Sequence, residues 1–162
     1  MGVLIDNYNL AKQWGVAISY SAYTPLRTGN ADYCISDPAE LELLKNTMDK
    51  LVQLKGRNGR ITNSVWTLTG TYDFFKSGNI AGCKAGQRFL VVNPDGTLRP
   101  CSMYEDSYTS TKEIKEKYDR TKECGACYVS IRAYLDASYG TLLIDNVRQR
   151  VFSKNGKNGN NC

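Results

Sequence analysis

The chain has 162 residues, a formal net charge of +5, six cysteines and no histidine. Without an imidazole it cannot form a Ser-His-Asp triad, a Cys-His nucleophile or a Cys-His zinc site, so any metal here must bind sulfur or oxygen. The positive charge is spread along the sequence apart from residues 148–150 and the tail. That distribution favours a solvated surface over a nucleic-acid interface.

The N-terminal residues and the cysteines together predict the cellular compartment of the protein. No segment has the apolar length of a membrane span or the shape of a signal peptide, and Asp6 stands where a signal would carry positive charge. We therefore expect a cytoplasmic protein, in which clustered thiols bind metal more often than they pair. A secreted disulfide protein is the alternative, because the number of cysteines is even.

The first elements follow an α/β pattern. Apolar spacing predicts a helix over residues 3–14, and Gly15 fits the position that follows a helix. Residues 16–22 then predict a strand, almost wholly apolar or small. A strand of this composition is typical of a sheet that is covered on both faces.

Two capped helices come next. Asp37 predicts the start of a helix whose apolar stripe ends at Gly56, and Asn63 or Ser64 predicts the cap of another that runs to Ser77. These elements amount to one slice of an α/β layer, too little to close a parallel sheet. We therefore expect an open sheet edge, through which the chain pairs with a missing partner or forms a homo-oligomer.

The sequence between Cys83 and Cys101 carries a hairpin signal. Its turn, Asn93-Pro-Asp-Gly96, predicts a type I turn followed by a left-handed glycine, which places Val91 opposite Arg99. A hairpin returns its two ends toward each other. The pattern therefore predicts that Cys101 comes back close to Cys83.

The remaining predicted elements are helical. Ser110 and Glu113 form a capping-box pattern for a short helix to about residue 118. Cys124-Gly-Ala-Cys127 stands at the start of a helix predicted over residues 128–138 and closed by Gly140. A helix N-terminus stabilises thiolates and offers N–H donors to bound sulfur.

Four thiols can therefore converge, two from the hairpin and two from the Cys-x-x-Cys pair. Such a set predicts a metal or cluster site made of Cys83, Cys101, Cys124 and Cys127. The other two cysteines are expected to be spare thiols: Cys34 and Cys162.

The run from Cys83 through the hairpin to Cys101 resembles the opening of SPASM and twitch domains, which are C-terminal extensions of radical S-adenosylmethionine (radical SAM) enzymes. That opening has a cysteine, a strand, a glycine-containing turn and a second cysteine just after a proline. Cys124-Gly-Ala-Cys127 is similar to the pair that completes an auxiliary [4Fe–4S] cluster. A full SPASM domain continues with further cysteines, which residues 128–140 lack, so the resemblance is to the single-cluster twitch form.

The resemblance extends upstream, because residues 6–23 are similar to a late helix–strand step of the family's partial (β/α) barrel. It implies an α/β plus small α+β protein: the last part of a partial radical SAM barrel, then a β-hairpin and helix forming a twitch-like cluster domain. The implied parts are the barrel portion at 1–78, the auxiliary cluster domain at 79–140, and a C-terminal extension with a disordered tail at 141–162.

The resemblance also implies a function. The four cysteines would bind an auxiliary [4Fe–4S] cluster used for electron transfer or substrate positioning. The family's catalytic cluster needs a Cys-x-x-x-Cys-x-x-Cys loop, which this sequence does not contain, so the chain alone is expected not to cleave S-adenosylmethionine. It would be a fragment or subunit of an oxidoreductase-like enzyme. The missing N-terminal barrel portion would lie on the same or a separate chain. S-adenosylmethionine would be bound only in the full enzyme.

Two questions stay open: whether the cysteines bind zinc instead, and which cations lie near the site. Zinc accepts four thiolates, which would make the chain a structural zinc-binding protein-interaction module. That alternative is weaker, because the first cysteine pair is spread across a whole hairpin. The cations that can offset a cluster's negative charge, if they are more than surface residues, are Lys84, Arg88 and Arg99.

Overall fold

The computed structural model describes residues 2–58, 60–118 and 124–155, and in that part of the chain the protein is a small mixed α/β protein. The six helices are α1 (Gly2–Trp14), α2 (Pro38–Asn58), α3 (Val65–Ser77), α4 (Thr111–Lys117), α5 (Ser130–Asp136) and α6 (Tyr139–Asn155). The two strands are β1 (Val91–Val92) and β2 (Leu98–Arg99). Among these helices none is both long and apolar enough to span a bilayer.

Helices α1, α2 and α3 surround the larger apolar core. Its buried members are Tyr8, Leu44, Met48, Leu51, Ile61 and Leu68. Helix α2 begins as predicted, since the Asp37 carboxylate accepts hydrogen bonds from the N–H groups of Ala39 and Glu40 at 2.9 and 3.1 Å. The predicted end at Gly56 is wrong, because the helix continues to Asn58. A helical glycine costs only about 1 kcal/mol, so Gly56 does not by itself end the helix.

The predicted strand over residues 16–22 is an extended segment with a single backbone bridge. Ile18 pairs in parallel with Ile61. The N–H of Ile18 donates to the carbonyl of Arg60, and its carbonyl accepts from the N–H of Thr62, both at 2.9 Å. The next rung is made by a side chain: the Asn63 amide accepts from Tyr20 N–H and donates to Tyr20 O, both at 2.7 Å. Two parallel extended segments joined by α2 form a β-α-β crossover, whose second segment the sequence analysis missed.

Exposure alternates along this segment. Ile18 and Tyr20 are half-buried and Ala22 is buried, whereas Ser19 and Ser21 are exposed. The expectation of a strand covered on both faces is therefore wrong for the described residues. One face packs on the helices, and the other carries small polar side chains.

The hairpin forms in the predicted register. Val91 pairs with Arg99, Asn93 N–H donates to the carbonyl of Thr97 at 2.8 Å, and Gly96 has the left-handed φ of 84° that the turn requires. A third segment joins on the other side of β2, where Leu98 and Tyr108 exchange two backbone hydrogen bonds of 2.7 Å.

The end of the chain departs from prediction. Residues 128–138 do not form one helix: α5 starts at Ser130, and Gly140 lies in the first turn of α6 instead of closing a helix. The break occurs because Ser138 caps α6, its Oγ accepting from Thr141 N–H at 3.1 Å. The helix reaches Asn155, inside the tail expected to be disordered. The rest of that tail, Cys162 included, lies outside the described residues.

Candidate metal centre

The four grouped cysteines line one cavity of about 220 Å³. Cys83 comes from the loop before β1, Cys101 lies two residues after β2, and Cys124 and Cys127 precede α5. Residues far apart in sequence thus meet at the same place, as the hairpin and the Cys-x-x-Cys spacing predict. Cys34 is half-buried and does not line this cavity.

The rest of the cavity wall is mainly apolar or aromatic. It includes Leu26, Phe89, Met103, Tyr104, Tyr118 and Ile131. Such a wall keeps water away and lowers the local dielectric constant, which strengthens every charge interaction inside. The surroundings therefore suit a charged inorganic group only where hydrogen-bond donors or cations accompany it.

Burial has the largest effect on the pKa values of two of the thiols. It raises the pKa of Cys83 to about 11, against the opposing effects of a hydrogen bond from the backbone N–H of Ala85 and the charge of Arg132. Burial also raises the pKa of Cys101, against backbone hydrogen bonds from two residues that follow it. Both groups are neutral thiols at pH 7, so a metal that binds them must displace their protons.

The segment that leads to Cys83 is held against the Cys-x-x-Cys pair. Ile80 N–H donates to the carbonyl of Gly125 at 3.0 Å. A Cβ on Gly125 would lie 1.8 Å from Oδ1 of Asn79, so a larger residue here requires that side-chain amide to move. The packing of residue 79 on residue 125 thereby sets the spacing of the two cysteine-bearing segments.

Arg132 is the site residue that the sequence analysis missed. Its side chain is 1% exposed and lines the cavity, with Nη1 4.0 Å from Cys127 Sγ. Its Nε donates to Asp136 Oδ2 at 2.9 Å, and its Nη atoms donate to the carbonyls of Cys127 and Ile80. The signal in the sequence was an Arg and an Asp spaced i, i+4 in an otherwise apolar helix, five residues after Cys127.

The three cations proposed from sequence do not line this cavity. Arg88 donates to the carbonyl of Leu135 at 2.7 Å and lies over the ring of Tyr139. Arg99 donates to Asn93 Oδ1 at 3.1 Å. These side chains serve contacts of the hairpin and of α5, and the buried charge beside the thiols comes from another residue.

The thiols surround a cavity, and they do not converge on a point. In the described residues, no three Cys, Asp or Glu side chains are grouped closely enough to hold a single metal ion. The five cysteines in that part of the chain are free of disulfides. The arrangement therefore differs both from a preformed tetrahedral ion site and from a cross-linked framework.

Comparisons with protein-family models, curated proteins and solved structures gave no match to this chain. Assignment of a function consequently depends on the residues and their geometry.

Proposed function

We propose that this chain is the auxiliary [4Fe–4S] cluster-binding C-terminal region of a radical SAM enzyme. The observation that carries the proposal is the common cavity of Cys83, Cys101, Cys124 and Cys127, which lie far apart in sequence. Four cysteines are the usual ligand set of such a cluster. The resemblance of the hairpin and the Cys-x-x-Cys pair to twitch domains supplies the family.

A cluster and a zinc ion need different arrangements of the four thiols. A tetrahedral zinc ion with Zn–S bonds of about 2.3 Å holds its four sulfurs at about 3.8 Å from one another. In a cubane each cysteine binds a different iron, so the sulfurs lie farther apart, around a body of finite size. The four cysteines line one cavity, and the resemblance to twitch domains is what favours the cluster as their ligand.

The four cysteines would hold the cluster, which supplies one-electron transfer or an anchor for nearby substrate. Four thiolates occupy all four irons and leave no open coordination position, which favours electron transfer or a structural role. The chain's own part is to exclude water with the apolar cavity wall and to stabilise the sulfurs of Cys83 and Cys101 through backbone N–H donors.

The first half of the chain would be the last part of the barrel. The parallel pairing of Ile18 with Ile61 across α2 supports this, because a (β/α) barrel consists of such crossovers. The small polar residues on the open face, Ser19 and Ser21, would then face the barrel interior. The missing N-terminal barrel portion, on this or another chain, is the proposed partner and would bring the catalytic cluster and S-adenosylmethionine.

Anaerobic reconstitution with iron and sulfide tests the proposal. We expect a brown protein with about four iron and four sulfide per chain and a visible absorption band from thiolate-bound iron. Substituting any one of the four cysteines by alanine should remove most of this absorption. Cys34→Ala is the matched control, since that thiol lies outside the cavity, and it should load like the natural chain.

Two outcomes would overturn the proposal. A colourless protein with about one zinc per chain would identify a structural zinc module. Full iron and sulfide loading in Cys83→Ala or Cys101→Ala would show that the hairpin thiols are not ligands.

A further inference from the structure

The geometry points to Arg132 as the residue that positions the thiols of this site and supplies the positive charge beside its sulfurs. This inference rests on the proposed function and extends it, because it assigns a role to a residue that is not a ligand. Arg132 is 1% exposed in a wall made mostly of apolar side chains. A charge buried so deeply needs partners that compensate its desolvation.

The guanidinium connects the two cysteine-bearing segments. One Nη atom donates to the carbonyl of Cys127, and the other donates to the carbonyls of Ile80 and Ala81, which precede Cys83 in the chain. A planar fork with several fixed donors suits this task, whereas a lysine ammonium concentrates its charge on one flexible end. Arg132 therefore fixes the distance between the Cys83 segment and the Cys-x-x-Cys pair.

Asp136 completes the attachment from the other side of Cys83. Its Oδ2 accepts from Arg132 Nε at 2.9 Å, and its Oδ1 accepts from the backbone N–H of Lys84 at 3.1 Å. The i, i+4 pair on α5 thus holds the chain on both sides of Cys83. Three hydrogen bonds from one helical turn hold the backbone on the two sides of Cys83.

The charge has a second effect. Nη1 of Arg132 lies 4.0 Å from Cys127 Sγ, whereas the Asp136 carboxylate pairs with Nε of the same guanidinium and with the backbone N–H of Lys84. A [4Fe–4S] cluster with four thiolates carries negative charge, and reduction adds one more electron. A nearby cation stabilises the reduced form more than the oxidised form, so Arg132 should raise the reduction potential.

Two substitutions separate position from charge. Arg132→Met removes both, whereas Arg132→Lys retains a positive charge and loses the fork. The matched control is Arg88→Met, because Arg88 also donates to carbonyls, those of Leu135 and Ala137, but lies outside the cavity.

Each variant is measured in two states of the full chain. In the cluster-free protein, the rate at which the thiols react with a disulfide reagent reports on their position. In the reconstituted protein, an anaerobic redox titration followed by electron paramagnetic resonance gives the cluster potential. Thermal unfolding verifies that each variant is folded.

We expect Arg132→Met to lower the ratio of reduced to oxidised cluster about tenfold at a fixed ambient potential, which equals about 59 mV for one electron. Arg132→Lys should keep most of the natural potential, yet its thiols should react several-fold faster. Arg88→Met should change neither value. The split between potential and reactivity is a result that a purely structural role would not give.

Failure of this inference is distinguishable from failure of the proposed function. An unchanged potential and unchanged thiol reactivity in Arg132→Met would overturn the role of Arg132 and leave the cluster assignment intact. If Arg132→Met does not fold, a potential in Arg132→Lys as low as that of a fully solvated cluster would overturn the charge effect. A natural chain that takes up no iron and sulfide would overturn the proposed function itself.

Discussion

Gly125 occupies a position where a side chain fits only if the Asn79 amide, in the segment that leads to Cys83, moves aside. Its ideal Cβ would lie 1.8 Å from Asn79 Oδ1 and 2.4 Å from Asn79 Cγ. We expect Gly125→Ala to lower the free energy of unfolding by about 1–3 kcal/mol, the usual cost of overpacking, and to reduce cluster loading. Urea denaturation and iron content measure the two effects.

A second substitution in the same pair provides the control for Gly125→Ala. Asn79→Ala removes the Cγ and Oδ1 atoms that the new methyl group would meet. The double variant should therefore recover most of the lost stability. A double variant as unstable as Gly125→Ala alone would show that the clash is not the cause.

The cysteines that line the cavity could be predicted at the scale of single residues, but the buried charge beside them could not. The chain reverses direction between Cys83 and Cys101 through a local turn, and the residue types at 93–96 predict that turn. Arg132 acquires its role only through the carbonyls of Ile80 and Cys127. Nothing in the local pattern indicates those tertiary contacts, so the nearer cations along the hairpin were proposed instead.

At the scale of elements, one carboxylate stabilises α4 by accepting hydrogen bonds from several donors. Glu113 accepts from Lys117 Nζ at 2.7 Å and from the N–H and the hydroxyl of Thr109 at 2.8 Å. The hydrogen bonds from Lys117 and then from Thr109 lower the pKa of Glu113 from 4.5 to about 2. The folded form therefore stays ionised to a lower pH than the unfolded form.

The sign of the pH effect on α4 follows from this depressed pKa. The stabilisation is fully present above the unfolded pKa of 4.5 and is lost as the pH falls from there toward about 2. The protection factors of the α4 amides, corrected for the intrinsic exchange rate at each pH, should therefore decrease as the pH falls over that range, and Glu113→Gln should abolish the dependence. Glu116→Gln on the same helix is the control. An identical pH profile in Glu113→Gln would contradict the prediction.

Helix α3 gives a case in which packing reverses a helix propensity. Alanine normally stabilises a helix interior by about 0.5–1 kcal/mol over glycine. A Cβ on Gly70, however, would lie 2.2 Å from the hydroxyl of the buried Tyr128. Because overpacking costs about 1–3 kcal/mol, Gly70→Ala should destabilise the protein and displace the residue next to Cys127.

Gly56 provides the opposite result in a matched experiment. It lies inside α2, and its ideal Cβ has no other atom within 4 Å. Gly56→Ala should therefore raise the free energy of unfolding by about 0.5–1 kcal/mol. Urea unfolding of the two alanine variants side by side checks both signs. Stabilisation in both would show that helix propensity alone decides and that packing on Tyr128 does not matter, whereas no stabilisation in Gly56→Ala would contradict the propensity effect.

Helix starts with a side-chain cap were predicted correctly, and the later helix break was not. Ser64 and Ser110 accept hydrogen bonds from backbone N–H groups of α3 and α4, as the sequence indicates. The cap at Ser138 was overlooked because the apolar spacing of residues 128–138 is compatible with one helix. The second extended segment was missed because the Asn63 side chain replaces a backbone rung.

At the scale of the whole molecule, the two halves share a core. Ala22 and Phe74 from the first half pack with Tyr128 and Ala133 from the second. The domain boundary expected at residue 78 thus lies between elements that contact each other. The cysteine-lined cavity and the extended segments of the first half should therefore unfold together.

Helix α6 covers much of the segment 141–162, expected to be a C-terminal extension, and one of its described contacts with the first half is made by a carboxylate. Asp145 Oδ2 accepts from Val65 N–H at 3.2 Å and lies 3.9 Å from Nζ of Lys55, whose side chain is 4% exposed. Asp145→Ala removes the acceptor and the opposing charge, so it should cost about 1–3 kcal/mol of unfolding free energy. Asp145→Asn retains an oxygen acceptor and should cost less.

Two probes decide whether α6 belongs to the same cooperative unit. Trp66 lies beside Asp145 in a shallow surface pocket, so in a Trp14→Phe background its fluorescence reports on this contact, and far-ultraviolet circular dichroism reports on all helices. If α6 is integral, both probes should give coincident urea midpoints, and both midpoints should decrease equally in Asp145→Ala. An earlier transition in fluorescence alone would mean that α6 detaches first, because Asp145 then stabilises only the docking of that helix and not the shared core.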